Sequence, residues 1–142
     1  MKISFAEPKL PASGFVVFLM GGDGELSATA KTLDKATKGA VSRAVEARSF
    51  VGKKGETLSV FSPEGRENLN ILLVGAGAAK DLDTLRAQEI GAIVYKSLSS
   101  LGADSATVLA EAPSGAKTRG ADLAAALAFG ARLRDYSYDK YI

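Results

Sequence analysis

The chain has 142 residues, of which 46% are hydrophobic, and a formal net charge of +2. This length suits one core, so we expect residues 1–142 to form a single domain. The near balance of charge does not by itself indicate a nucleic acid or membrane partner. The sequence has neither His nor Cys. Their absence excludes disulfides, a thiolate nucleophile, and the commonest general base and metal ligand.

The N-terminal residues lack the apolar centre of a signal peptide. The longest strongly apolar run, residues 15–20, is far shorter than the ~20 residues needed to cross a bilayer. We therefore expect a soluble, cytoplasmic protein that has no membrane partner.

The first half of the chain alternates between strand and helix patterns. Ile3 and Phe5 predict a short edge strand, and residues 15–20 predict a strand that is covered on both faces. Residues 27–47 have the apolar spacing of an amphipathic helix. Gly39 interrupts this pattern, and glycine costs up to about 1 kcal/mol relative to alanine inside a helix. We expect two shorter helices with a break near Gly39.

The second half repeats the alternation. Residues 58–61 and 69–74 predict strands, and a long helix follows between an N-cap at Asp83 and a stop at Gly102. The apolar stripe of that helix comprises Leu85, Ile90, Val94, Leu98 and Leu101.

Residues 107–109 predict one more strand and residues 119–134 a last helix. The apolar stripe of this helix comprises Leu123, Leu127, Gly130 and Leu133. Interleaved strands and helices predict a three-layer α/β/α domain, with helices on both faces of one sheet.

Two glycine motifs resemble phosphate-binding loops only in part. Gly75-x-Gly77 follows an apolar strand, but Lys80 stands where a dinucleotide loop has its third glycine. Gly52-Lys53-Lys54-Gly55 lacks the spacing of a Walker sequence. We therefore interpret the first motif as a strand-ending turn and the second as a basic surface turn.

Charged residues offer two further candidate sites, one for a metal ion and one for DNA phosphates. The acidic pairs Asp81/Asp83 and Asp135/Asp139 lie at helix boundaries, where capping explains them better than a metal site does. Between residues 31 and 56, basic residues outnumber acidic ones. This basic stretch contains Lys31, Lys35, Lys38, Arg43, Arg48, Lys53 and Lys54. It is typical of a solvated helix face, and a surface that contacts DNA phosphates is the alternative.

Three segments, in their order along the chain, carry a family resemblance. The first comprises Leu33-Asp34-Lys35-Ala36-Thr37-x-Gly39-Ala40-Val41 and then Phe50-x-Gly52-Lys53-x-Gly55-Glu56. The second is Ile71-Leu72-Leu73-Val74-Gly75-Ala76-Gly77, followed by the long helix. The third is Ala128-Phe129-Gly130-Ala131-Arg132-Leu133-Arg134-Asp135-Tyr136-Ser137-Tyr138-Asp139-Lys140-Tyr141. Together they resemble the N-terminal domain of the leucine (cytosol) aminopeptidase family.

The resemblance implies a macro-domain-like fold with a mixed, mostly parallel sheet and a domain without catalytic, cofactor-binding or metal-binding residues. Structural roles are implied for the motif residues Phe50, Gly52, Lys53, Gly55, Glu56, Gly75, Gly77, Tyr136, Tyr138, Asp139 and Tyr141. The implied parent enzyme releases N-terminal amino acids from peptides with two divalent metals, Mn or Zn, in a catalytic domain absent from this chain.

The resemblance also implies a hexameric parent, in which this domain contacts its own catalytic domain and contributes to assembly or substrate access. Three of the four tyrosines lie close to Ile142, so we expect the chain to be one domain of a longer enzyme. The alternative is a binding module of macro-like fold that takes DNA or a nucleotide-type ligand.

Overall fold

A computed structural model describes residues 1–6 and 9–141, with backbone alone at residue 6 and residues 136–141. The elements, in chain order, are β1 (Lys2–Ala6), β2 (Gly14–Gly21), α1 (Ala28–Ala36), α2 (Ala40–Ala47), β3 (Thr57–Phe61), β4 (Leu69–Gly77), a short 3-10 turn (Ala79–Asp81), α3 (Thr84–Ser100), β5 (Ser105–Leu109) and α4 (Gly120–Tyr141).

The strands form one sheet in the order β1-β5-β2-β4-β3. The pairs β1/β5, β5/β2 and β2/β4 are parallel, whereas β3 runs antiparallel to β4. The predicted mixed, mostly parallel sheet is therefore confirmed. The edge position expected for the first strand is confirmed as well, and β2 lies at the centre of the sheet.

Helices cover both faces of the sheet, as the sequence predicts. Consecutive residues of β4 point to opposite faces because side chains alternate along a strand. Leu72 packs in a core cluster with Ile90 of α3 and Leu123 of α4. Leu73 packs in a second cluster, which contains Leu33 of α1 and residues of α2. The domain thus has three layers, with the sheet between α1–α2 and α3–α4.

The expected break in the first helical segment is confirmed. Gly39 adopts a left-handed conformation with φ +82° between α1 and α2. Asp83 caps α3, because its carboxylate accepts a hydrogen bond of 2.8 Å from the amide of Arg86. None of the helices in the described residues has the length and apolar character needed to cross a membrane.

Two details of the predicted helix stripes are wrong. Leu85 is 66% exposed and Leu133 is 51% exposed, although both were expected on buried stripes. Leu85 lies about 140° around the helix from Ile90, and Leu133 about 120° from Leu127, at roughly 100° per residue. Both side chains therefore point away from the sheet. The last helix also continues to Tyr141, beyond the expected end at residue 134.

Candidate functional site

A crevice of about 540 Å³ opens at the C-terminal ends of the parallel strands β2 and β4. Its lining residues come from the two strand ends and from the loop that precedes β3. They are Gly21, Gly22, Asp23, Lys53, Lys54, Gly77, Ala78 and Ala79. The volume is within the usual range for small-molecule sites, about 300–1,000 Å³.

A bulge shapes the strand that forms one wall. Met20 pairs with Gly75 and Gly21 pairs with Gly77, so Ala76 is an additional residue in β4. Bulges bend a strand locally and often occur beside functional sites. Here the bulge lies directly before the crevice.

The loop of residues 52–56 is fastened to the end of β4 by backbone hydrogen bonds. The amide of Gly77 donates to the carbonyl of Gly52 at 2.9 Å, and the amide of Gly55 donates to the carbonyl of Gly75 at 3.1 Å. The amide of Gly75 in turn donates to the carbonyl of Glu56 at 2.7 Å. The two glycine motifs therefore form one backbone assembly instead of two independent turns.

Close backbone contact explains why glycine stands at two of these positions. A Cβ atom on Gly52 would overlap the carbonyl oxygen of Gly21, and Gly52 also has φ +83°. A Cβ atom on Gly75 would overlap the carbonyl oxygen of Lys53. Any larger residue at either position would push the loop away from the sheet.

The side chain of Glu56 holds the same loop together. Its Oε1 accepts a hydrogen bond of 2.9 Å from the amide of Lys53, while its own amide donates to the Lys53 carbonyl at 3.0 Å. Phe50, at the start of the loop, is only 5% exposed and packs in the cluster on the α1–α2 face.

Positive side chains lie around the crevice. Lys53 and Lys54 line it, and Lys54 Nζ forms an ion pair of 3.0 Å with Glu89. The guanidinium of Arg86 lies beside Gly77, where an added Cβ would be 2.8 Å from its Nη1. Asp23 is the one carboxylate among the lining residues, and its Oδ1 accepts a hydrogen bond from the amide of Glu25.

The structure therefore brings together six of the predicted motif residues: Gly52, Lys53, Gly55, Glu56, Gly75 and Gly77. Phe50 lies beneath this group in the core. Tyr136, Tyr138, Asp139 and Tyr141 belong to α4, but their side chains lie outside the described part of the chain. The structural roles implied for the motif residues remain a prediction.

Sequence reasoning missed the other wall of the crevice. Gly21, Gly22 and Asp23 follow the apolar strand β2, and Ala78 and Ala79 follow β4. The glycine run after β2 is visible in the sequence. However, only the strand order shows that it meets the loop of residues 52–55, which is distant along the chain.

Ion pairing reduces the positive charge of the basic stretch. Lys38 pairs with Glu64 and Lys54 with Glu89, both at 3.0 Å. The guanidinium of Arg43 donates to the carbonyl of Lys38 at 2.5 Å. Phe50 is buried, so the aromatic residue of this stretch offers no exposed ring for base stacking.

The acidic side chains of these pairs that the structure describes, those of Asp81, Asp83 and Asp135, do not converge on a metal site, and the side chain of Asp139 lies outside the described part of the chain. Asp83 caps α3, and Asp135 accepts a hydrogen bond of 2.5 Å from the Tyr95 hydroxyl. Among the residues that the structure describes, no group of three or more Asp or Glu side chains is placed to hold a metal ion.

Comparisons with known proteins agree on one family. The sequence model for the N-terminal domain of the cytosol aminopeptidase family matches residues 16–141. A probable cytosol aminopeptidase of Rhodopseudomonas palustris strain CGA009 is 32% identical over 141 residues, which cover 99% of this chain and 28% of that protein. A homologue from strain BisB18 is 38% identical over 116 residues, covering 80% of this chain and 22% of that protein.

A solved structure supports the same assignment at the level of the fold. A mutant of tomato leucine aminopeptidase superposes with a TM-score of 0.73 at 20% identity, covering 94% of this chain and 28% of that protein. The chain thus spans only about a quarter of the length of the relatives it matches. From the match over residues 16–141, the chain belongs to the cytosol aminopeptidase family, in the part that forms its N-terminal domain.

Proposed function

We propose that this chain is the noncatalytic N-terminal domain of a leucyl (cytosol) aminopeptidase and acts in assembly or substrate access. The family match over residues 16–141, combined with coverage of 28% of a relative's length, carries the proposal. The remaining length of such a relative is available for a catalytic domain. The proposed parent enzyme works in the cytoplasm as a hexamer and removes N-terminal residues from peptides.

The side chains of this domain do not fit a site for two divalent metals. The sequence has no His or Cys, and the described residues contain no cluster of acidic side chains that could hold an ion. Paired metals polarise a carbonyl and activate water only when several ligands converge on them. The residues that bind Mn or Zn for the proposed activity would therefore belong to the catalytic domain.

The outer surface of the α3–α4 layer supports a role in assembly. Leu85, Phe129 and Leu133 are exposed there. Phe129 also lines a groove of about 370 Å³ between α3 and α4, together with Thr84, Gln88, Asp122 and others. Exposed apolar surface of this kind is typical of an interface. We propose that the catalytic part of the enzyme covers it.

A buried hydroxyl in the same groove is consistent with this role. Thr118 is 6% exposed, and its Oγ1 has no hydrogen-bond partner among the described residues. A buried polar group without a partner costs about 1–3 kcal/mol. A polypeptide segment that docks in the groove would supply a partner.

The first test measures hydrolysis of leucine p-nitroanilide by the isolated chain with Mn²⁺ or Zn²⁺. We expect no metal-dependent turnover, because the chain lacks ligands for the metals. Turnover that co-purifies with the chain and persists after contaminating peptidases are removed would contradict the proposal.

The second test is a chimera in which this chain replaces the matching region of the Rhodopseudomonas palustris CGA009 relative. We expect the chimera to hydrolyse the substrate and to assemble like the unaltered relative. Phe129→Ser should impair assembly, measured as native mass, whereas Val51→Ser, at another exposed apolar position, should not. The melting temperature of each isolated variant controls for misfolding. A folded chimera that neither assembles nor acts would refute the assigned role.

A further inference from the structure

We propose that the crevice between the ends of β2 and β4 binds a small phosphorylated ligand of the sugar phosphate or nucleotide class. This inference does not depend on the proposed function. It rests on the chain topology around the crevice, its backbone-lined walls and its charges.

The topology opens the sheet at this point. After β2 the chain passes to α1 and α2 on one face, and after β4 it passes to α3 on the other face. Because the two connections leave in opposite directions, a crevice forms outside the carboxyl ends of the strands. In open α/β sheets, ligands bind at such topological switch points.

A second crevice on the other side of β2 provides an internal comparison. It has a volume of about 250 Å³ and is lined by Asp23, Glu25 and Glu111 among others. Its carboxylates would repel a phosphate. The crevice toward β4 shares Asp23 but has Lys53 and Lys54 in place of the two glutamates, so of these two crevices it is the one suited to an anion.

The walls allow a ligand to approach the backbone closely. Gly21, Gly22 and Gly77 have no side chains, and Ala78 and Ala79 add only methyl groups. Such walls leave room for a phosphate beside the main chain. The amides of Gly22 and Gly77 already donate to the carbonyls of Gly77 and Gly52, so the lysine side chains supply the hydrogen-bond donors. The hydrogen bonds between the loop of residues 52–56 and β4 hold this geometry in the absence of ligand.

The charges assign a role to each polar side chain. Lys53 forms no ion pair within the described part of the chain, so its ammonium group is available to a phosphate. Lys54, although paired with Glu89, and Arg86 add positive potential at the same wall. Asp23 uses Oδ1 for the amide of Glu25, which leaves Oδ2 to accept a hydrogen bond from a sugar hydroxyl.

Isothermal titration of the purified chain with ADP, ribose 5-phosphate and adenosine tests the inference. We expect one-to-one binding of at least one phosphorylated probe and no binding of adenosine. Binding of ADP alone would identify a nucleotide, and binding of ribose 5-phosphate would show that a sugar phosphate suffices. If neither phosphorylated probe binds at millimolar concentration, or if adenosine binds as tightly as ADP, the inference is wrong.

Three variants locate the binding. Lys53→Ala should weaken it about tenfold, because a charge-assisted hydrogen bond to phosphate is lost. Ala78→Leu should abolish it by filling the crevice, since residue 78 is exposed and has an ordinary extended conformation. Lys35→Ala, at an exposed lysine of α1, is the matched control and should change affinity less than twofold. If Lys35→Ala weakens binding as much as Lys53→Ala does, the attraction is nonspecific and the inference fails. Circular dichroism confirms that each variant is folded.

Discussion

The two helical layers cover the same sheet in different ways. On one face, α1 and α2 are short and contribute few fully buried side chains, namely Ala30, Leu33 and Val41. On the other face, α3 alone buries Ala87, Ile90, Gly91, Val94 and Leu98. The α1–α2 layer combines a smaller apolar contact with local polar contacts, whereas the α3–α4 layer depends on close packing. We therefore expect the same kind of substitution to lower the free energy of unfolding by different amounts in the two layers.

The largest effect is expected where the sheet meets the α3–α4 layer. Leu72 is 1% exposed at the centre of β4, so Leu72→Asp places a charge without a partner in the core. We expect the free energy of unfolding to fall by about 4 kcal/mol or more, a large part of the roughly 5–15 kcal/mol that stabilises an ordinary domain.

Leu85→Asp provides the matched control, because Leu85 is in the same layer but points outward. It should change the free energy of unfolding by no more than about 0.5 kcal/mol. Urea denaturation followed by circular dichroism measures both variants. If Leu72→Asp had the same urea midpoint as the unaltered chain, the position of β4 in the core would be refuted.

The second largest loss of stability is expected where α3 crosses α4. A Cβ atom on Gly130 would overlap the carbonyl oxygen of Gln88, so the two backbones are in contact there. Gly130→Ala must separate the helices, and we expect a loss of about 3 kcal/mol. In the other layer, a Cβ on Gly39 would meet only Arg43 Nη1, at 3.2 Å.

Gly39→Ala therefore tests the difference between the layers directly. Its cost should come from the left-handed backbone alone and amount to about 1 kcal/mol. Denaturant midpoints of the two variants give the comparison. A cost for Gly39→Ala equal to or greater than that for Gly130→Ala would reverse our interpretation of the two layers.

The sequence predicts the layer architecture well because the strong patterns are local. The apolar runs of β2 and β4 and the break at Gly39 depend on neighbouring residues, and all three are confirmed. The predictions for Leu85 and Leu133 are wrong because neither residue keeps the helical spacing of its stripe, Leu85 lying about 140° from Ile90 and Leu133 about 120° from Leu127. Gly91 and Gly130 define the α3–α4 contact instead.

The crevice was harder to predict, since it depends on contacts between segments that are distant in sequence. Gly52-Lys53-Lys54-Gly55 and Gly75-x-Gly77 each lack a complete phosphate-binding pattern. Their hydrogen bonds to each other, and the approach of Gly21 and Gly22, follow only from the pairing of β2 with β4. Residues that are weak signals separately thus form one site in the fold.

A comparably small effect is expected at the cap of α2. The N-cap residue, Gly39, has no side chain to accept a hydrogen bond, and Asp34 of α1 replaces it. Asp34 Oδ1 accepts a hydrogen bond of 2.9 Å from the amide of Ser42, and the Ser42 hydroxyl donates to Oδ2. This contact fastens α2 to α1, as expected for a layer held by polar contacts.

Asp34→Ala should therefore destabilise the domain by about 1 kcal/mol, the usual effect of losing an N-cap. Asp34→Asn retains an acceptor oxygen and should recover most of that loss, and Glu46→Ala on the exposed side of α2 is the control. Hydrogen exchange of the Ser42 amide gives a local measurement, which should accelerate in Asp34→Ala and not in the control. Unchanged exchange would mean that packing, not the Asp34 carboxylate, holds the start of α2, and the contrast between the two layers would then be weaker than we infer.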